Sequence, residues 1–146
     1  MAALSLTMIP NTDITIYNKY TDPTTRLEKY QRTVVSDVVW QGTKAASAAN
    51  GGLLASNSVT IYIPFALGTQ YVKPIAWQAL VTKTGKWTLR EGDVIAKNSV
   101  TDEITTSPVF TMTDLKAKYD DVVTITSVDT MDQGSPNMQH WQVGAK

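Results

Sequence analysis

The single histidine is the first residue to consider for acid–base or metal chemistry. His140 stands beside Trp141 in the run HWQV. A catalytic triad needs a base that is oriented by an acid and touches a nucleophile. A zinc site needs several His, Cys or carboxylate ligands. The sequence around His140 offers neither pattern, so we predict a structural or interface histidine.

Two groups of aspartates are candidates for binding a cation or for supplying the paired carboxylates of glycoside chemistry. Asp120 and Asp121 stand where a helix is predicted to meet a strand, and Asp129 and Asp132 precede or begin the turn DQGSP. Aspartate is a common turn former, and the spacing lacks the regularly placed oxygen ligands of a calcium loop. We predict turn roles for these residues, no catalytic residue, no metal site, no cofactor and no enzymatic activity.

Composition narrows the remaining function classes. The 146 residues are 42% hydrophobic and 18% charged, and they contain no cysteine, which excludes disulfides and thiolate chemistry. Thirteen basic residues balance thirteen acidic ones, so the basic excess typical of nucleic-acid binding is missing. A net charge near zero removes self-repulsion and favours assembly. No apolar stretch approaches the ~20 residues that cross a bilayer.

Period-two alternation of apolar and polar residues predicts most of the strands. The clearest runs are DITIYN at 13–18, SVTIYIPF at 58–65, VVTITSV at 122–128 and HWQV at 140–143. The β-branched and aromatic run at 27–40 predicts a long strand, bulged near Ser36-Asp37. DVIA at 93–96 predicts a short strand, and Pro64 is expected to end its strand.

Residues 41–57 are small, polar and glycine-containing, which predicts a long loop whose only charge is Lys44. One short helix is predicted at 113–119, with Thr113 as its N-cap. The expected fold is therefore mainly β, a small β-barrel or sandwich with long loops and one short helix. Residues 1–12 are expected to form an N-terminal arm, and residues 13–146 a single domain.

The four tryptophans could form a sugar-binding platform if they were exposed. Trp40 and Trp141 each close or join a β-branched run, so we expect them to be buried. Trp87 follows the turn signal KTGK and is the best candidate for exposure. Residues 72–81 are expected to be an extended segment packed by Trp77.

The order and the amino-acid sequences of several segments resemble those of a known group of phage proteins. The segments are DITIYNKYTDPTTRLEKYQRTVV, SVTIYIPF, WTLREGDVIAK and DDVVTITSVDTMDQGSPNMQHWQVGAK. They resemble the minor capsid or head-completion proteins of tailed phages of Gram-positive bacteria, which belong to the head–tail connector. The many predicted strands and the single predicted helix resemble the stopper, or head-closure, type rather than the mostly helical adaptor.

This resemblance implies a structural protein of the virion neck, made in the host cytoplasm. It implies a homo-oligomeric ring, about twelve-fold, in which different faces of neighbouring copies meet. It further implies contact with portal or adaptor and tail-terminator proteins, retention of packaged DNA with non-specific contact in the channel, and no membrane. Alternatives are a tail-terminator, tail-tube or decoration protein, then a carbohydrate-binding module, and last an enzyme.

The interface is expected where the N-terminal arm and the 41–57 segment reach beyond the domain. Small residues in that segment allow backbones to approach closely. The expected interface residues are Met8, Ile9, Lys44, Asn50, Gly51, Gly52, Leu53, Leu54, Trp87 and His140.

Overall fold

The computed structural model describes residues 10–49, 52–106 and 109–146, in which strands predominate. The strands are β1 Thr12–Thr21, β2 Glu28–Ala49, β3 Gly52–Pro64, β4 Val94–Lys97, β5 Thr105–Thr106, β6 Val109–Phe110, β7 Val122–Met131 and β8 His140–Ala145. The helices are α1 Pro74–Gln78 and α2 Met112–Lys118, with 3₁₀ turns at Phe65–Gln70 and Pro136–Met138. The prediction of a mainly β fold is confirmed.

Six strands close into an antiparallel barrel in the order β1-β2-β3-β8-β7-β4, with β4 pairing back onto β1. The pair β5-β6 forms a separate small sheet. Each strand runs between the two ends of the barrel, and neighbouring strands run in opposite directions. Thr12 and Lys97 lie at one end, with the start of β7, and Thr21, Pro64 and Met131 lie at the other.

The predicted strands at 13–18, 58–65, 93–96, 122–128 and 140–143 are confirmed with shifted boundaries, and the largest shift is in β3, which begins at Gly52. Burial follows the expected alternation in β8 and at the end of β3, where Ile61 and Ile63 are fully buried and Tyr62 between them is not. It does not alternate in β1, where the five residues 14–18 are all fully buried. Strand β3 ends at Pro64 as expected, because proline cannot donate to a continuing ladder.

The predicted bulge in the long second strand is confirmed. Thr12 pairs with Val38 and Ile14 with Val35, so Ser36 and Asp37 oppose the single residue between them. Asp37 adopts φ 63°, and its amide donates to the Asp13 carboxylate at 3.2 Å. This left-handed residue lets the strand change register without losing its buried face.

Three predictions about the connections are wrong. The described residues hold two short α-helices rather than one. Residues 72–81 include α1, because Pro74 at its first position fixes a helical φ. The N-cap of α2 is Thr111, not Thr113: Thr111 Oγ1 accepts from the Asp114 amide, and the Asp114 carboxylate accepts from the Thr111 amide.

A buried polar network ties the segment before β4 to β1. The Asn18 side chain donates to the Thr88 carbonyl and to Asp93 Oδ2, both at 2.8 Å, and accepts from the Thr88 amide. Asp93 also accepts from the Lys19 amide. Burial raises the pKa of the Asp93 carboxyl, against these hydrogen bonds and the Arg90 charge, which lower it.

The expected loop at 41–57 is the largest correction. Residues 41–49 belong to β2 and residues 52–57 to β3, and residues 41–49 pair with β3 from Gln41 with Thr60 to Ala49 with Gly52. Small residues without strong β preference suggested a loop, but the backbone ladder needs no large side chains. The remaining dipeptide, Asn50-Gly51, is a sequence favoured in two-residue hairpin turns.

Candidate interaction surface

The most prominent feature outside the barrel is the end of the β2–β3 hairpin. β8 pairs with β3 only from Pro64 to Val59, and β1 pairs with β2 no further than Val38. Residues 43–49 and 52–58 therefore pair only with each other; we call them the hairpin arm. The seven pairs from Thr43–Ser58 to Ala49–Gly52 extend about 20 Å beyond the barrel at ~3.3 Å per residue.

The base of the hairpin arm is fixed to the barrel by one side chain. Asn11 Nδ2 donates to the Trp40 carbonyl at 3.0 Å, and Asn11 Oδ1 accepts from the Trp40 amide at 2.9 Å. The Asn11 amide donates to the Val38 carbonyl at 3.0 Å. The side chain thus continues the β1–β2 ladder by one more residue. The Trp40 ring is itself only 8% exposed, so the arm projects from a packed position.

Both long edges of the hairpin arm lack a strand partner among the described residues. An edge strand presents unpaired N–H and C=O groups that can pair with another chain. Natural edges are usually protected by charges, prolines or bulges. Residues 41–58 contain no proline and a single charge, Lys44. An isolated two-stranded hairpin is at best marginally stable in water, so a partner would add directly to the arm's stability.

Comparison with known proteins assigns a family but no activity. A family described as "Family of unknown function (DUF6751)" matches residues 9–146. The chain belongs to DUF6751. No curated protein and no solved structure matches it. The match covers the barrel and the whole hairpin arm, so the arm lies within the region that defines the family.

The DUF6751 chain places the predicted interface residues in two separate regions. Lys44 lies in the β2 half of the hairpin arm, and Gly52, Leu53 and Leu54 lie in the β3 half, paired with Ala49, Ala48 and Ser47. Met8, Ile9, Asn50 and Gly51 lie outside the described residues. The backbone thus brings Lys44, Gly52, Leu53 and Leu54 together in one projecting element.

Trp87 and His140 lie near the opposite end of the DUF6751 barrel. The expectation of an exposed Trp87 is wrong: the side chain is 2% exposed and its ring packs edge-on against Trp141 at 5.7 Å. His140 is half-buried and packs against Tyr62 at 5.6 Å, with Nδ1 2.9 Å from the Met138 carbonyl oxygen. Neither residue joins the hairpin arm in one surface.

The four tryptophans form no exposed platform. Trp40, Trp77, Trp87 and Trp141 are all buried, as the sequence predicted for Trp40 and Trp141. Trp87, Trp141, Tyr71 and Phe65 form an aromatic cluster with centroid separations of 4.4–5.7 Å. This cluster fills one end of the barrel instead of facing solvent.

A cleft of about 600 Å³ lies between the β1–β2 turn and the segment after α1, lined in part by Tyr20, Gln31 and Lys83. Among the described residues, no group of three or more His, Asp or Glu side chains could hold a metal ion. No helix in the described part of the chain is long and apolar enough to cross a membrane.

Proposed function

We propose that this DUF6751 protein is a structural subunit that assembles with copies of itself through its hairpin arm. The observation that carries the proposal is the arm itself, which has two open edges and is anchored on a closed barrel. A strand added to an open edge gains a row of backbone hydrogen bonds. Because the arm and its acceptor are different surfaces, such contacts are heterologous and generate rings or filaments.

The proposed setting is the neck of a tailed phage, where the subunit acts as a head-closure or stopper ring. The segment resemblance described above supports this role, and a β-barrel with a projecting arm is compatible with it. In this role the ring joins the portal and adaptor complex to the tail and retains the packaged DNA. The equal numbers of basic and acidic residues suit a channel that contacts DNA without gripping its phosphates.

A tail-terminator, tail-tube or decoration protein is the alternative within the same virion. Each of these roles also needs self-assembly or docking through a β-rich surface. A carbohydrate-binding module loses its support, because all four tryptophans are buried. Sugar binding through stacked indoles needs exposed ring faces.

The test compares the full chain with a variant in which residues 44–56 are deleted. We expect the purified full chain to form rings, visible by electron microscopy and by sedimentation. The deletion variant should remain folded, because the barrel pairs lie outside the deleted residues, but it should sediment as a monomer. A full chain that stays monomeric, or a deletion variant that still forms rings, would contradict the proposal.

The neck role has its own test in the phage that encodes the chain. Cryo-electron microscopy of virions should place one ring of this protein below the portal. Particles made with the 44–56 deletion should lose packaged DNA and fail to join tails. Stacked rings along the tail would instead identify a tube protein, and full heads that still close and join tails would remove the head-closure role.

A further inference from the structure

A further open edge, beside the two of the hairpin arm, lies on the barrel wall. β4 pairs with β7 only at Val122, Val123 and Thr124, and the hydrogen bonds of Ile125 to Gly92 and Asp93 extend this contact by one residue. Beyond it, residues 126–131 of β7 pair with β8 on one side only. Among the described residues, no strand covers the other side.

The hydrogen-bond pattern shows which amides face outward from this edge. Thr124 and Lys146 exchange both backbone hydrogen bonds, at 3.0 and 3.1 Å. In an antiparallel pair such residues alternate, so Gly144, Gln142 and His140 of β8 also face β7. Their partners are Ser127, Asp129 and Met131. The N–H and C=O groups of Val128 and Thr130 therefore point away from β8, toward the open side.

This β7 edge is accessible, and the features that commonly protect an edge are present at two points in it, the Asp129 charge and the register shift between Ile125 and Ser127. The side chains of Thr126, Ser127, Asp129 and Thr130 are exposed. Residues 126–131 contain neither proline nor lysine, which commonly block edge pairing. Six residues span about 20 Å at ~3.3 Å per residue, which matches the free length of the hairpin arm.

The arm of the same copy cannot reach this edge. The hairpin arm leaves the barrel at the end where β3 residue Val59 and β8 residue Ala145 pair. From that level the β7 edge runs the other way, toward Met131 beside His140. β8 also separates β3 from β7 in the sheet. An arm that pairs with this edge must therefore come from another molecule.

Charge favours a second copy as that molecule. The hairpin arm carries one lysine, Lys44, and no acidic residue, whereas the β7 edge carries Asp129 and is followed by Asp132. No like charges meet when the arm of one copy lies along β7 of the next. The zero net charge of the chain adds no long-range repulsion between copies.

We propose that the open edge of β7, residues 126–131, accepts the hairpin arm of a neighbouring copy as an added strand. This inference rests on the proposed function and deepens it, because it names the surface that receives the arm. Each copy then donates at one end and accepts on its wall, so the contact is heterologous and repeats from copy to copy.

Disulfide trapping tests this contact cleanly, because the chain contains no cysteine. One preparation carries Thr130→Cys, and a second carries a single arm substitution, Ala46→Cys, Ser47→Cys, Leu54→Cys or Ala55→Cys. Adjacent residues of a strand face opposite sides, so these positions sample both sides of both arm strands. Disulfides form only when the Cα atoms lie within about 7 Å.

We expect covalent dimers when the two preparations are mixed under mild oxidation. The yield for the best arm position should exceed that of either preparation alone by about tenfold or more, because assembled cysteines are held at an effective concentration on the order of mM. A matched mixture with Thr25→Cys, an exposed residue of the β1–β2 turn, should stay at background. Dimers from the arm variants alone, or none at any of the four positions, would overturn the inference.

A second pair of variants tests the outward amide. Thr130→Pro removes the N–H that faces the open side, whereas Thr130→Val keeps it and preserves β-branching. We expect Thr130→Pro to shift sedimentation toward the monomer and Thr130→Val to assemble like the wild type. Wild-type assembly with no cross-link to Thr130→Cys rejects only the β7 acceptor. A monomeric wild type rejects the proposed function as well.

Discussion

At the scale of single residues, the ionisable groups of this chain stabilise turns and connections. Asp22 accepts from the amides of Thr24 and Thr25 and pairs with Lys29 at 2.8 Å. Asp102 accepts from Tyr119 and Lys118, which holds the pKa of its carboxyl below the usual range. The sequence predicted turn roles for aspartates of other segments. Asp22 has such a role, because its carboxylate accepts from amides two and three residues further along the chain.

Asp22 gives a pH-dependent prediction. The Lys29 ammonium and two backbone amides lower the pKa of this carboxyl from 3.8 to about 2. A lowered folded-state pKa contributes stability that is present above pH 3.8 and lost as the pH falls through about 2. The wild type should therefore be more stable than Asp22→Asn at neutral pH, and the difference should vanish in acid.

Urea denaturation over a pH series measures this difference. Lys29→Met is the matched control. It keeps the Asp22 carboxyl and removes the hydrogen bond from the Lys29 ammonium, which is the largest cause of the lowered pKa. The Lys29→Met variant should show less loss of stability than the wild type as the pH falls through this range. A difference between wild type and Asp22→Asn that does not change between neutral pH and pH 2 would contradict the assignment.

Asn18 gives the second prediction at this scale. Replacing it by alanine removes the partner of the Thr88 amide, the Thr88 carbonyl and Asp93 Oδ2 in a fully buried site. Buried polar groups without partners are costly, so Asn18→Ala should lower the free energy of unfolding by about 2–4 kcal/mol. The control Gln31→Ala alters the β2 residue paired with Asn18, and it should change stability by less than about 1 kcal/mol. If Asn18→Ala lowered the free energy of unfolding by no more than the small loss expected of Gln31→Ala, the network would add little to stability.

At the scale of elements, the alternation of apolar and polar residues predicted the strands well, although burial follows it in β8 and not in β1, where residues 14–18 are all buried. Ile14, Ile16, Ile61 and Ile63 all face the core, and the bulge at Ser36-Asp37 was visible as two polar residues inside a β-branched run. The elements that sequence reasoning missed depend on other signals. The hairpin arm is held by backbone pairing along a run of mostly small residues, and the sequence feature that favours a hairpin there is the Asn50-Gly51 dipeptide.

Trp87 shows why exposure is hard to predict from a local pattern. The residue follows a polar turn, which suggested exposure, yet the chain after the turn returns to the barrel. The Trp87 amide donates to the Gln70 carbonyl and its own carbonyl accepts from Val72. This pairing with a segment sixteen residues or so earlier draws the indole into the aromatic cluster. Only the tertiary path, which no short sequence window contains, buries the ring.

The 3₁₀ segment Phe65–Gln70 gives a prediction about how that aromatic cluster packs. A Cβ added at Gly68 would overlap the Trp141 ring, whereas a Cβ at Gly42 would meet nothing within 4 Å. Overpacking of this kind costs about 1–3 kcal/mol. Gly68→Ala should therefore lower the melting temperature and alter tryptophan fluorescence, while the matched control Gly42→Ala should do neither. Equal behaviour of the two variants would place Trp141 elsewhere.

At the scale of the whole molecule, the barrel and the hairpin arm differ in how they are stabilised. The barrel encloses a core that includes Ile61, Ile95 and Val143, all fully buried. Among the described residues, the strands of the arm pair only with each other. Local unfolding is easiest where few buried contacts hold a segment. Assembly should therefore change the arm much more than the barrel.

Amide hydrogen exchange can measure this asymmetry directly. In dilute solution, amides of residues 43–49 and 52–58 should exchange orders of magnitude faster than those of Ile14–Tyr17, which pair with β4 on one side and β2 on the other. On assembly, protection should rise in the arm and in residues 126–131 together, because added strands satisfy both edges at once. The β1 amides serve as the internal control and should stay unchanged. Protection that rises in the arm alone would place its acceptor outside β7, while an arm as protected as the barrel in dilute solution would mean that the hairpin needs no partner.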